Sequence, residues 1–365
     1  MVLYQMGWWL RVAPPKTLKI WIVKMRKLLT AVSIFVVTLA PAFVQAQTVN
    51  IYSTRQPDLI EPVLSAFTAS TGIETQVLFA KKGLVDRVVA EGSLSPADVL
   101  MTTDIGGLIT FVNEGVTQSV TSAVIEKNIP ASFRSQDGNW FALTMRGRVI
   151  YASVDRLDID SITYEELADP KWKGSICTRS GQHGYNLALI ASMIDEIGEE
   201  AAETWLAGVR DNLARKPNGN DRAQAKGIFS GECDLGIGNS YYVGLMETNE
   251  KEPEQQDWRN ALKVIFPNND GRGTHVNVSG MAMAKYAPNR EAALKLMEYL
   301  TTSEAQAVYA EQVYEYPINK SAKISDVVAS FGVMNPDNRD LNVVGSLRSR
   351  ASLMVDRVRF NDGPR

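Results

Sequence analysis

From residue 49 onward, short apolar runs alternate with stretches whose apolar residues recur every three or four positions. Residues 49–52 (Val-Asn-Ile-Tyr) read as a first strand. Ile60, Val63, Leu64 and Phe67 then form the stripe of a helix that Thr71-Gly72 ends. Asp58 with Glu61 three residues on resembles a capping box at its start. Residues 73–79 read as a strand, 84–91 as a helix and 97–101 as a third strand. Thr102-Thr103-Asp104 leads into a helix through Phe111. A β-α-β-α-β order predicts an open α/β sheet.

Residues 140–144 and 149–151 read as two further strands. Arg146-Gly147-Arg148 between them suits a passage from one sheet to another, so a hinge is expected there. A second α/β unit follows, with strands at 174–178, 234–238 and 262–266 and helices at 185–197, 201–213 and 221–230. Residues 274–284 should return to the first unit. Asn289 reads as the N-cap of a helix carrying Ala293, Leu296, Met297 and Leu300, and Ser303 to Gln306 repeats the capping-box pattern. Residues 340–358 read as a last helix. Two lobes joined by two crossing strands predict a clam-shell with the ligand in its cleft. The expected lobes are 47–148 with 275–323, and 149–274 with 324–365.

The first 46 residues stand apart from this pattern. Met25-Arg26-Lys27, the apolar run 28–40 and Val44-Gln45-Ala46 have the layout of a secretory signal peptide over residues 25–46. Residues 1–24 are then a start-site over-call, or else a long basic n-region. Residues 1–46 hold six Lys/Arg and no Asp or Glu. The remainder carries 32 basic against 41 acidic residues, a net charge of −9. A net acidic chain is a poor partner for nucleic acid. No later segment reads as a membrane span, so a soluble, exported, monomeric protein is expected. With 45% hydrophobic residues in 365, the chain can fill one large or two medium cores, and it shows no internal repeat.

Export permits a disulfide, and Cys177 and Cys233 each sit in a short strand-like run of the same lobe. A bridge between them is expected; two buried thiols are the alternative. No GxSxG, HExxH, Walker or GxGxxG pattern occurs, and the two histidines, His183 and His275, lie far apart. An enzyme is therefore not expected. The stretch from Gly231 to Tyr242 is the candidate for ligand chemistry. Leu235 and Ile237 mark a buried strand, Gly238-Asn239 lets the chain turn, and Tyr241-Tyr242 follow at the strand end, where α/β proteins place ligand groups. Ordinary packing aromatics are the competing reading of those two tyrosines.

Several motifs together carry a resemblance. They include Tyr52-Ser53-Thr54-Arg55-Gln56-Pro57, Ser95-Pro96-Ala97-Asp98-Val99-Leu100 and Arg146-Gly147-Arg148-Val149-Ile150-Tyr151. Gly83-Leu84-Val85-Asp86-Arg87-Val88, Arg179-Ser180-Gly181-Gln182-His183-Gly184-Tyr185-Asn186, Gly238-Asn239-Ser240-Tyr241-Tyr242 and Gly273-Thr274-His275-Val276-Asn277-Val278-Ser279-Gly280 complete the set. From Val49 to about Phe360 the chain resembles the periplasmic ferric-iron-binding proteins of ABC importers, the bacterial transferrins. The resemblance implies a two-lobed periplasmic-binding-protein fold of the class II type. It also implies Fe³⁺ as cargo, a synergistic anion such as carbonate, and an ABC permease in the inner membrane as partner. It assigns Tyr185, Tyr241 and Tyr242 as metal ligands, places Arg55 and Arg146 near the anion, and leaves Tyr151 structural.

The chemistry is consistent with that assignment. Fe³⁺ is hard and prefers anionic oxygen. A free Tyr with a pKa of about 10 is a poor ligand at neutral pH, but a nearby trivalent cation favours the phenolate. Three phenolates neutralise the metal's charge, and a bidentate carbonate with one more oxygen would complete an octahedron. Arg suits a planar carbonate-like anion. Other branches of the family carry His at the position of Gln56, Tyr at that of Pro57 or Glu at that of Thr103. Gln56 offers only a neutral oxygen or a supporting hydrogen bond, and Asp104 reads as a helix cap. The pattern is that of the all-tyrosine, anion-assisted branch, with ligands mainly from one lobe. The alternatives are an anion-binding protein without metal and an exported hydrolase.

Overall fold

The structure, a computed structural model, describes residues 47–365; the leader and start-site expectations lie outside the described residues. The first apolar runs become β1 (Thr48–Ser53), α1 (Glu61–Thr71), β2 (Glu74–Phe79), α2 (Leu84–Glu91), β3 (Val99–Thr102) and α3 (Ile105–Asn113). β1 pairs in parallel with both β2 and β3. α1 buries Val63, Leu64 and Phe67 and stops at Gly72, whose φ of 69° is the left-handed cap glycine favours. Asp58 does not cap α1. Pro57–Leu59 forms a separate 3₁₀ turn and Ile60 takes the N-cap position, while Glu61 accepts the Ser65 hydroxyl instead. Asp104 does cap α3, accepting from Gly107 N at 3.1 Å.

The chain continues through β4 (Thr117–Gln118), α4 (Ala123–Asn128), β5 (Phe141–Ser153), β6 (Ile176–Cys177), α5 (Gly184–Ile197), α6 (Glu199–Asp211), α7 (Asp221–Phe229), β7 (Leu235–Asn239) and α8 (Tyr241–Glu247). It ends with α9 (Glu254–Asn260), β8 (Leu262–Ile265), β9 (Val276–Ala284), α10 (Arg290–Leu300), α11 (Ser303–Val313), β10 (Tyr316–Pro317), α12 (Asp326–Ala329), α13 (Leu341–Ser346) and α14 (Arg348–Arg357). The strand order is β2-β1-β3-β9-β5-β7-β6. β5 belongs to both halves of this sheet. Its residues 141–147 pair with β9, and 148–152 pair with β7. The two strands expected here are thus one, because Arg146 and Arg148 both find ladder partners, Asn277 and Asn239. The change of partner falls at Arg146-Gly147-Arg148, where the hinge was expected. Arg148 N donates to His275 O at the second crossing.

The packing divides with the sheet. One core gathers Ile51, Leu64, Phe67, Leu100, Phe111, Trp140, Met281 and Leu296. On the far half, alternate residues of β5 face opposite ways. Ile150 joins Leu189, Trp205 and Phe360, while Tyr151 joins Cys177, Cys233, Val243 and Met246. Cys177 and Cys233 form the expected disulfide, with Cα atoms 5.9 Å apart. The tail expected as one helix breaks at Leu347 because its ends pack differently: Leu341 of α13 enters the first core, Met354 of α14 the second. α11 is capped by Thr302 rather than Ser303, and Gln306 accepts from Asn319 N instead of closing a capping box. Among the described residues no helix is long and apolar enough to cross a membrane.

Candidate metal centre

The three tyrosines lie in the first turns of two helices that leave strand ends. Tyr185 is the second residue of α5, whose N-cap is His183: its Nδ1 accepts from Tyr185 N at 3.2 Å. Tyr241 and Tyr242 open α8 directly after β7. One buried carboxylate ties these two elements together. Asp221 accepts from Arg148 Nη1 (2.8 Å), Arg179 Nη1 (3.0 Å) and Asn239 N (2.9 Å). Arg148 also reaches Asn239 Oδ1 and Asn186 Oδ1, next to the tyrosines of each helix. Tyr151 is buried over Gly238, where a Cβ would stand 2.2 Å from its ring, and its hydroxyl donates to Asn239 O at 2.6 Å. It supports the turn and does not line the cleft.

These constraints bring the Tyr185 and Tyr241 hydroxyl oxygens to 3.2 Å. The Tyr241 and Tyr242 rings stack with centroids 4.3 Å apart. Three guanidinium groups face the rings: Arg146 and Arg179 lie 5.8 and 5.2 Å from the centroid of Tyr185, and Arg222 lies 5.1 Å from that of Tyr242. Burial raises the Tyr185 and Tyr241 phenols above the ordinary tyrosine range. Both are therefore neutral at pH 7, and their contact is a hydrogen bond. A cation arriving between them would reverse that preference, and the neighbouring arginines favour the charged form further. Burial, with Arg179 next in effect, holds the His183 imidazole at about 4, so it is neutral and free to cap.

Across the cleft, Arg55 follows the end of β1. Its Nη2 meets Glu315 Oε1 at 3.1 Å and Ser279 Oγ at 2.5 Å. Arg146 Nη1 donates to the same Ser279 Oγ at 3.1 Å. Thr144 Oγ1 donates to Glu315 Oε2 at 2.5 Å. Both arginines and Glu315 are buried, with Arg146 and Glu315 each 1% exposed, yet all three line the cavity. Burial pushes the Glu315 carboxyl up, but Arg55 and Arg146 outweigh it and leave it below the usual carboxylate range. The arginines are thus not surface salt-bridge residues. They form one internal cluster with Glu315, whose approach to Arg55 spans 260 residues of sequence.

The cavity enclosed by these groups measures about 1120 Å³. It unites Tyr185, Tyr241, Tyr242, Arg55, Arg146 and Gln56. Gln56 is exposed at its rim. Thr103 and Asp104 also line it, and Asp104 pairs with Arg348 of α14 at 2.7 Å. Sequence reasoning missed Glu315, Arg179, Arg222 and the rim pair Lys81-Lys82. Glu315 carried one visible signal: it is a lone carboxylate in the otherwise uncharged run from Val313 to Ile318.

Residues 95–342 match the family model described as bacterial extracellular solute-binding protein. The chain belongs to that family. Among curated members of similar sequence, iron uptake protein A1 of Synechocystis is 41% identical over 314 residues, covering 86% of this chain and 87% of its own. Among solved structures, the Bordetella ferric binding protein shares 49% identity with a TM-score of 0.83, over 86% of this chain and all of that one. The Trichodesmium IdiA (FutA) protein in complex with iron and citrate shares 39% at the same TM-score, over 85% and 99%. This solute-binding protein therefore has the two-lobed α/β fold expected from its sequence.

Proposed function

We propose that this solute-binding protein captures Fe³⁺ in the periplasm and delivers it to an ABC permease in the inner membrane. The cargo is held by the phenolates of Tyr185, Tyr241 and Tyr242. A synergistic anion, carbonate or one like it, is held by Arg55 and Arg146, with Gln56 at the rim. The observation that carries this reading is the 3.2 Å approach of two phenol oxygens from separate helices, with a third tyrosine stacked on one of them. Hydrophobic packing alone gives no reason for hydroxyls to converge on a polar cleft flanked by arginines. The naming of its relatives for iron uptake and ferric binding supports the same cargo and a transport role rather than an enzymatic one.

In this reading the protein is a soluble monomer. One lobe comprises residues 47–148 and 275–323, the other 149–274 and 324–365. All three phenolates come from the second lobe, and Arg55 with Glu315 from the first. Iron would then bind an open cleft, and the lobes would close afterwards. A second reading is an anion-binding protein without metal, which the cationic lining (Lys81, Lys82, Arg179, Arg222) favours.

The test is a visible spectrum of mature protein, stripped with citrate and titrated with Fe³⁺ and bicarbonate. Phenolate ligation gives a broad band that saturates at one iron per chain and is lost in the Tyr185→Phe/Tyr241→Phe double variant. A colourless protein that still binds bicarbonate would overturn the ferric reading and leave the second.

A further inference from the structure

The two arginines assigned to the anion are not free to offer two full positive charges. Arg55 is already committed to Glu315 at 3.1 Å, and Arg146 reaches the same carboxylate's partner, Ser279 Oγ, at 3.1 Å. Ser279 in turn donates to Glu315 Oε2 at 3.1 Å, and Thr144 approaches that oxygen from β5. The carboxylate sits at 1% exposure, lines the cavity beside both guanidinium groups, and is held ionised by them. Arg55 and Arg146 contribute two positive charges and Glu315 one negative, so the cluster carries a net charge of +1. Charges separated by a few ångströms within a protein interact strongly because water does not screen them. A buried carboxylate facing the place where an anion lands therefore repels each added negative charge on that anion.

We infer that Glu315 is a specificity-determining residue for the synergistic anion: it holds Arg55 in place for a small anion of low charge and discriminates against polyanions. The inference rests on the ferric reading above and names the charge class of the anion that reading requires. It gives Ser279 and Thr144 a role as well, since they orient Glu315 rather than touch the anion. A merely structural Glu315 would alter every anion's binding alike; a charge-selecting one alters the ratio between anions.

The experiment uses the iron-free mature protein titrated with Fe³⁺ at fixed pH, with bicarbonate or citrate as the anion. The readout is the anion concentration giving half of the phenolate-to-iron band. Citrate also chelates iron in solution and competes more strongly with weaker binders, so each half-band concentration is corrected with the variant's own iron affinity before the citrate-to-bicarbonate ratios are compared. In Glu315→Gln the cluster charge rises to +2, and the ratio should fall tenfold or more. In Glu315→Asp it should stay within threefold of wild type. Arg146→Gln leaves the Arg55–Glu315 pair intact and lowers the cluster charge to zero, so its ratio should rise tenfold or more; it serves where Glu315→Gln does not fold. Equal shifts for both anions in Glu315→Gln, or an unchanged ratio in Arg146→Gln, would overturn the inference while the ferric reading stands. Absence of the band in wild type would overturn the ferric reading itself, and the inference with it.

Discussion

Acidification should destabilise this protein through His275. His275 lies at the second chain crossing, 3% exposed, with its backbone carbonyl bonded to Arg148 N. Its Nε2 has no partner among the described residues. Burial foremost, with Arg272, Arg148 and Arg146 adding repulsion, lowers its imidazole from 6.5 to about 3. A group lowered on folding contributes stability that is complete above its unfolded value and is lost as pH falls toward the folded one. The window therefore runs from about pH 6.5 down to about pH 3. Between pH 7.5 and 4.5 the unfolded chain gains the proton while the folded one stays neutral, at about 1.36 kcal/mol per pH unit below 6.5. That is a loss of about 2–3 kcal/mol from one side chain. The assay is urea unfolding of the iron-free protein, followed by tryptophan fluorescence at both pH values. The His275→Gln variant should be less stable than wild type at pH 7.5 but should lose about 2–3 kcal/mol less on acidification. An equal loss in both proteins would refute the argument and show that the imidazole is already protonated or partnered in the fold.

Tyr242→Phe should keep the melting temperature of the iron-free protein within a few degrees. On the ferric reading it should weaken iron binding at least tenfold, read by competition with citrate, because only the proposed donor oxygen is lost. Replacing Cys177 and Cys233 by Ser opens a buried bridge spanning 56 residues and should cost about 4 kcal/mol by loop-closure entropy, measured by denaturant unfolding. Arg55→Ala leaves Glu315 buried without its ion-pair partner and should destabilise the iron-free protein by about 3 kcal/mol, as well as raise the bicarbonate needed for the iron band. Iron should leave the protein as pH falls, since protons compete for the phenolates. A band that persists to about pH 4 in folded protein would count against phenolate ligation.

Much of this architecture was legible in local patterns. β1, α2, α7 and β7 fall where apolar spacing puts them, and the strand-end position of Tyr241-Tyr242 follows from Gly238-Asn239. Where the reading failed, a tertiary partner won over a local rule. Arg146-Gly147-Arg148 looks like a break in a strand, yet β5 runs through it because β9 and β7 supply partners from elsewhere in the chain. Ser303 to Gln306 looks like a capping box, yet Gln306 is taken by the backbone of Asn319. The role of Glu315 was illegible for a stronger reason, whatever signal its lone charge gave. Its meaning lies in Arg55, Thr144, Arg146 and Ser279, which come from three distant stretches, and no spacing rule connects them. Asp221 is the same case on the other side of the cleft.

These two buried carboxylates suggest how capture and release divide between the lobes. Asp221 ties Arg148 and Arg179 to the turn that presents Tyr241, so it fixes the phenols relative to one another without help from Arg55 or Glu315. Glu315 ties Arg55 to Ser279, and Arg146, on the strand shared by both halves of the sheet, joins the same cluster. On the proposed reading, the tyrosines belong to one lobe and the Arg55 cluster to the other. The anion is then the one ligand that contacts both. Iron affinity would come mainly from the phenolates, and closure from the anion. Withdrawing bicarbonate should therefore open the cleft before it strips the metal. Small-angle scattering of the iron-loaded protein, with and without bicarbonate, reads this directly. As bicarbonate is lowered, an increase in radius of gyration that comes before the loss of the visible band is the expected result. Loss of the band with no change in radius would mean that the anion serves the metal alone and does not join the lobes.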